Sequence, residues 1–220
     1  MRSALVVWLA LAAGCGGKGP SGGASGTAAT AATANVDSVN IADASAAPVV
    51  IAGDPKAYQS FCDKHWPGEG PAAMTWKGPA LKKLAGVVES AAPASAGRWT
   101  WVSFWATWCG PCLIEMPLIA KWRDGLQKDG VPMNVELWSI DDDEAALREK
   151  VKGGMIGPIG HVKWVESPAV LAAFLQTLGL NPDSAIPIQM LVDPNGKLRC
   201  VRVGSVHDDD WGTVRKLVGK

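Results

Sequence analysis

Two cysteines separated by two residues, Cys109 and Cys112, stand at the junction of two different hydrophobic patterns, and this placement constrains the fold more than any other feature. Residues 99–105 alternate and are rich in bulky side chains, as a buried strand is. From the cysteines to about Lys128 the pattern is helical and is broken at Pro117. A Cys-x-x-Cys pair where a strand feeds a helix puts the first sulfur at the helix N-terminus. Unsatisfied N–H groups and a partial positive charge there favour a thiolate over a thiol. Cys109 is therefore expected to attack and Cys112 to resolve the mixed disulfide that results. Gly110 and Pro111 between them suit a tight helix entry.

Zinc binding is the other common use of such a pair. No second Cys-x-x-Cys follows, and His65, His161 and His207 do not stand at ligand spacing, so neither a metal nor another cofactor is expected. Lys+Arg and Asp+Glu are equal at 21, and no basic tract is long enough to form a nucleic-acid surface. Most of the eleven tryptophans are expected to pack in the core or at its rim.

The remaining cysteines bear on the compartment. Met1-Arg2-Ser3 precedes an apolar run over residues 4–13, too short to span a bilayer and suited to a secretory signal. The run ends Ala13-Gly14-Cys15, which resembles a bacterial lipobox with Cys15 as the lipidated residue, although Ala12 replaces the usual Leu. Gly16 at the second mature position resembles sorting to the outer membrane rather than the inner one. An ordinary signal peptide is the alternative. Either reading exports the chain to an oxidising compartment. Of the five cysteines, setting aside Cys15 leaves an even set: Cys62, Cys109, Cys112 and Cys200.

Residues 1–15 are thus assigned to a signal and lipobox, and 16–47 to a Gly/Ala/Ser/Thr tether that buries too little to order itself. A tether of that length reaches about 30 Å. Residues 48–220 are assigned to the folded domain. Within it, helices are expected over 57–66, carrying Cys62, and over 79–90. A strand is expected over 133–140. The acidic run Asp141-Asp142-Asp143-Glu144 reads as a solvated, capped helix start. Residues 153–163 read as a Gly-rich connection, and Ser167-Pro168 opens a helix to about Leu178. Residues 187–192 and 197–203 flank Asp193-Pro194-Asn195-Gly196 as a hairpin, and a final helix covers 208–218. The fold class is α/β, a mixed central sheet with helices on both faces.

Trp105-Ala106-Thr107-Trp108-Cys109-Gly110-Pro111-Cys112, followed by Glu115-Met116-Pro117, resembles the TlpA/ResA-like branch of the thioredoxin superfamily over residues 99–218. The resemblance implies a thioredoxin fold and a cis bond at Ile186-Pro187 opposite the dithiol. It also implies substrate contacts at Trp108, Gly110, Pro111, Ile186 and Pro187. Trp108 in particular is expected to lie against Cys109 and partly cover it, and Pro117 to bend the active-site helix. Ser103 stands where cytosolic thioredoxins carry an acidic residue in the strand, and Glu115, one turn beyond Cys112, offers a carboxylate in its place. A solvated surface role is the alternative for Glu115. Cys62 and Cys200 depart from the family pattern; they either form a structural disulfide or remain buried free thiols.

The implied activity is thiol–disulfide exchange, with reduction of protein disulfides favoured and a membrane dithiol as electron donor. The implied location is the cell envelope, lipid-anchored and facing the periplasm. The rivals are a thiol peroxidase, for which only Thr107 speaks, and a non-catalytic thioredoxin-fold binding module.

Overall fold

The run of bulky residues before the dithiol forms β4 (Trp99–Trp105), and every one of its side chains is buried. Burial on both faces explains why bulky apolar residues point to either side of the strand, with Thr100 and Ser103 as its two polar members. The computed structural model describes residues 53–85 and 97–220. The expected signal, lipidated Cys15 and tether lie outside the described residues.

Around β4 the elements run in chain order. Before it come α1 (Pro55–Phe61), β1 (Lys64–His65), β2 (Met74–Thr75) and β3 (Leu81–Lys82). After it come α2 (Gly110–Lys128), β5 (Met133–Ser139), α3 (Glu144–Lys152), β6 (His161–Val165) and α4 (Pro168–Thr177). β7 (Ile188–Val192), β8 (Lys197–Val203), a 3-10 turn (Asp208–Asp210) and α5 (Trp211–Leu217) complete the domain. The strand order is β1-β8-β7-β4-β5-β6-β3, with β2 also paired to β8. β4 runs parallel to β5 and antiparallel to β7.

Alternate residues of β4 divide the core. Trp99, Trp101 and Trp105 pack with Met116, Ile119 and Trp122 of α2 and with Val214 and Leu217 of α5. Val102 and Phe104 pack on the other side with Leu171 and Leu175 of α4. The chain thus has the thioredoxin fold, a mixed sheet with helices on both faces.

Local chemistry explains several boundaries. Ser167 caps α4 by accepting from the Val170 N–H at 3.2 Å, with Pro168 in the first turn. The β7–β8 hairpin closes through Asp193, whose Oδ1 accepts from the N–H groups of Asn195 and Lys197 at 2.9 Å each.

Four expectations need correction. The helix expected over 57–66 ends at Phe61, because Cys62 is bonded to Cys200 and Lys64–His65 pairs with β8. The start of the helix expected over 79–90 is instead the strand β3, held on the edge of β6 with the Lys82 Nζ 3.8 Å from the Trp164 ring centre; residues 86–90 lie outside the described residues. β6 emerges from the end of the Gly-rich connection, where Gly160 passes so close to β5 that a Cβ would sit 2.6 Å from the Val135 carbonyl oxygen. α2 continues through Pro117, which is exposed.

The Cys62–Cys200 disulfide is present, with Cα atoms 5.5 Å apart, so the free-thiol alternative is set aside. The same junction is reinforced by Arg202, which donates to the Phe61 carbonyl, and by Asp63, which accepts from the Val203 N–H. Tyr58 donates its hydroxyl to the Leu217 carbonyl at 2.7 Å and ties α1 to α5. Burial pushes that phenol up to about 12, so it remains a donor across the neutral range.

Candidate active site

The turn that delivers the dithiol is held from below. Cys109 N–H donates to the Ala106 carbonyl at 3.1 Å, closing a turn between β4 and α2. Asp141, at the end of β5, grips this turn. Its carboxylate accepts from the Thr107 N–H at 3.0 Å, the Thr107 hydroxyl at 2.6 Å and the Ser139 hydroxyl at 2.7 Å. Trp164 of β6 donates to the Asp141 carbonyl at 2.6 Å. The acidic run therefore splits. Asp143 caps α3 as expected, whereas Asp141 is buried, because the donors around its carboxylate offset the loss of water. Thr107 is committed to Asp141, which removes the residue that spoke for a peroxidase.

Cys109 and Cys112 are joined by a disulfide, with Cα atoms 5.3 Å apart. Cys109 is the N-cap of α2, and its Sγ accepts from the Cys112 N–H at 3.3 Å. A reduced Cys109 would keep this donor and the positive end of the helix, both of which favour thiolate. The second cysteine is fully buried, while Cys109 retains 4% exposure, so an incoming sulfur meets Cys109 first. Across from it the Ile186–Pro187 peptide is cis, and the Ile186 carbonyl oxygen lies 3.9 Å from the Cys109 Sγ.

Gly110 and Pro111 are exposed, Ile186 is half-buried and Pro187 is buried. Trp108 is 69% exposed, so most of its surface faces solvent. Ile114, on the outer side of α2, is 81% exposed and was not singled out from the sequence.

Glu115 is not a surface residue. It is 2% exposed, on the same stripe of α2 as Cys112, Met116, Ile119 and Trp122. One carboxylate oxygen accepts from the Gln189 amide and the other from the Val206 N–H at 3.0 Å. Burial pushes its pKa up to about 7; the Val206 N–H, the Gln189 amide and the Arg202 charge each pull it back down. Ser103, in the strand position of the missing acid, is fully buried and in register with Gln189. Its hydroxyl has no hydrogen-bond partner.

Sequence reasoning missed Gln189, Asp141 and Val206. A signal existed for the first: Gln189 interrupts the apolar run of β7, and a polar residue inside a central strand must find partners. Among the described residues no cluster of His, Cys, Asp and Glu could hold a metal ion, and no helix is long and apolar enough to cross a membrane.

Fold and site together define a thioredoxin-fold domain carrying a dithiol at the N-terminus of its active-site helix. No protein-family model matches the chain. It is similar to the thiol–disulfide oxidoreductases ResA: 28% identical over 114 residues to that of Geobacillus thermodenitrificans, covering 52% of this chain and 59% of the relative. To the ResA of Bacillus subtilis it is 26% identical over 112 residues, covering 51% of this chain and 56% of the relative. The chain spans little more than half the length of these curated relatives.

Solved structures with a similar fold include a thiol:disulfide interchange protein from Bacteroides sp., with 18% identity, a TM-score of 0.48 and coverage of 67% of this chain and 90% of that one. Another is a thioredoxin-family thiol:disulfide interchange protein from Chlorobium tepidum, with 24% identity, a TM-score of 0.43 and coverage of 57% and 83%.

Proposed function

We propose that this protein is a thiol–disulfide oxidoreductase of the bacterial cell envelope and that it reduces disulfides in protein substrates. The observation that carries the reading is the Cys109 Sγ at the N-cap of α2, bonded to the Cys112 N–H and facing the Ile186 carbonyl beside a cis proline. In the reduced protein the Cys109 thiolate attacks one sulfur of a substrate disulfide. A mixed disulfide forms and the other substrate sulfur leaves as a thiolate. Cys112 then gives up its proton, with Glu115 one helical turn away as the acceptor, and attacks the Cys109 Sγ. The second substrate thiolate leaves, the substrate has gained two electrons, and the protein dithiol has become the disulfide seen here.

Trp108, Gly110, Pro111, Ile186 and Pro187 are assigned to the substrate polypeptide, the first three because they flank Cys109 in sequence and the last two because the Ile186 carbonyl faces its Sγ beside the cis bond. Re-reduction requires a dithiol donor, assigned to a membrane protein, and lipidated Cys15 with the 16–47 tether would anchor the domain to the envelope. The lipobox pattern and Gly16 support an outer-membrane anchor facing the periplasm.

Cys109→Ser is expected to abolish reduction of insulin disulfides, and a fully active variant refutes the mechanism. Cys112→Ser is expected to accumulate mixed disulfides with substrates. A reduction potential of about −120 mV, at the oxidant end of the thioredoxin-like range, would overturn the reducing direction. Loss of lipid labelling in Cys15→Ala tests the anchor.

A further inference from the structure

Gln189 is buried in the sheet, outside the dithiol motif, and both ends of its amide are engaged. Its Oε1 accepts from the Trp101 indole N–H at 2.7 Å, and its Nε2 donates to Glu115. The indole can only donate. The oxygen of the Gln189 amide must therefore face Trp101, and its NH2 must face Glu115. Val206 presents a backbone N–H to the second carboxylate oxygen. Donors on both oxygens favour the ionised form and so oppose the burial that favours the protonated one.

We propose that Gln189, locked by Trp101, is a positioning residue of the dithiol site: it fixes the carboxylate of Glu115, one turn of α2 beyond Cys112, as the acceptor for the Cys112 proton. The inference rests on the exchange mechanism above for its consequence, but not for its geometry. Gln189 lies in β7 opposite Ser103, so it occupies the sheet beside the position where a strand acid is missing and hands that place to the helix acid. The other charged group acting on Glu115 is Arg202 of β8, which pairs in register with Gln189 and is shared with the Phe61 and Ser205 carbonyls and, at 3.9 Å, with Asp210.

In the resolving step the Cys112 proton passes to Glu115, and the Cys112 sulfur forms a bond to the Cys109 sulfur. The bond between Cys109 and the substrate breaks, and the substrate sulfur leaves with the electron pair. Without the Gln189 amide, burial acts on Glu115 with one opponent fewer, and the acceptor fills with a proton at higher pH. Loss of a charge-assisted donor moves a carboxylate midpoint up by about one pH unit or more. From a midpoint of about 7, that lowers the ionised fraction at pH 7 from about half to about a tenth, a roughly five-fold loss of acceptor.

The test is a carbon-13 NMR titration of the Glu115 carboxyl in the oxidised full chain, assigned by its disappearance in Glu115→Gln. The wild type is expected to titrate near neutrality, Gln189→Met about one unit or more higher, and Trp101→Phe also higher, since a freed amide can turn its oxygen toward a protonated Glu115. Insulin reduction by Gln189→Met is expected to fall about five-fold at pH 7 and to recover at alkaline pH. A Glu115 midpoint unchanged in folded Gln189→Met overturns the proposal, as does a wild-type midpoint in the ordinary carboxylate range. If Gln189→Met does not fold, Trp101→Phe decides by the same criterion. Failure of the oxidoreductase reading would appear separately, as no insulin reduction by the wild type with the titration unaffected.

Discussion

Glu115→Gln keeps the shape of the buried side chain and deletes its charge, which makes the energetic cost of that charge measurable. Burial pushes the carboxyl from 4.5 to about 7 in the folded protein. A group with a raised folded pKa binds its proton more tightly when folded. Its stabilising contribution is therefore complete below about pH 4.5 and is lost as the pH rises through about 7. Each pH unit is worth about 1.4 kcal/mol, so the wild type is expected to lose about 3 kcal/mol across that window from this group alone. The variant has no such group. At low pH it carries a different defect: one carboxamide oxygen cannot serve both the Gln189 amide and the Val206 N–H. A donor facing the new NH2 costs about 1–3 kcal/mol. The wild type should be the more stable near pH 4, and the two stability curves should converge or cross as the pH approaches 8.

Urea unfolding of the oxidised proteins at intervals from pH 4 to pH 9 reads this out. At about 2 kcal/mol per molar urea, the separation between the two midpoints should change by roughly 1.5 M across the range. Every other titrating group is common to both proteins and cancels in the difference. A separation that stays constant with pH would refute the reasoning, because it would mean that burial imposes no charge penalty on Glu115.

Asp141→Ala strips the acceptor from the Thr107 N–H, the Thr107 hydroxyl and the Ser139 hydroxyl, and should cost roughly 2–4 kcal/mol in denaturant unfolding while slowing disulfide reduction; a loss under about 1 kcal/mol with full activity contradicts the clamp. The paired Cys62→Ser and Cys200→Ser change opens a link spanning 138 residues and should lower stability by about 4–5 kcal/mol on the chain-entropy account, measured by urea unfolding, with the Cys109–Cys112 exchange retained at low temperature. Trp108→Ala removes a ring that is 69% exposed; stability should change by less than about 0.5 kcal/mol, while the KM for a protein disulfide rises and the rate with a small disulfide holds. An equal loss on both substrates argues against a docking role for the ring.

What was legible in the sequence depended on length and chemistry. β4, α2, β5 and the β7–β8 hairpin are long enough for their patterns to show, and Ser167-Pro168 announces α4 by capping chemistry alone. β1, β2 and β3 are two residues each, too short for any period, and exist because β6 and β8 offer edges to pair with. The helix expected over 57–66 stops early because a disulfide and a strand pairing outweigh local propensity. The buried position of Glu115 was available from periodicity: it falls three residues after Cys112 on the stripe that Met116, Ile119 and Trp122 complete. Its charge argued for solvent, and only a partner such as Gln189, distant in sequence, could reverse that. Asp141 was hidden in the same way, inside a run whose other members do face water.

Moving the acid from the strand to the helix changes what controls it. An acid at position 103 would be surrounded by the sheet, whose strands are fixed by ladder hydrogen bonds on both sides. Glu115 instead depends on three elements at once: its own helix α2, Gln189 of β7 and the Val206 N–H of the segment leading to α5. Its protonation is therefore coupled to how α2 seats against the sheet and that segment, and a shift of the helix N-terminus that lengthens either hydrogen bond strengthens its hold on the proton. Cys112 lies on the same stripe of the same helix, one turn earlier. A strand acid, separated from the dithiol by a loop, would not share that coupling.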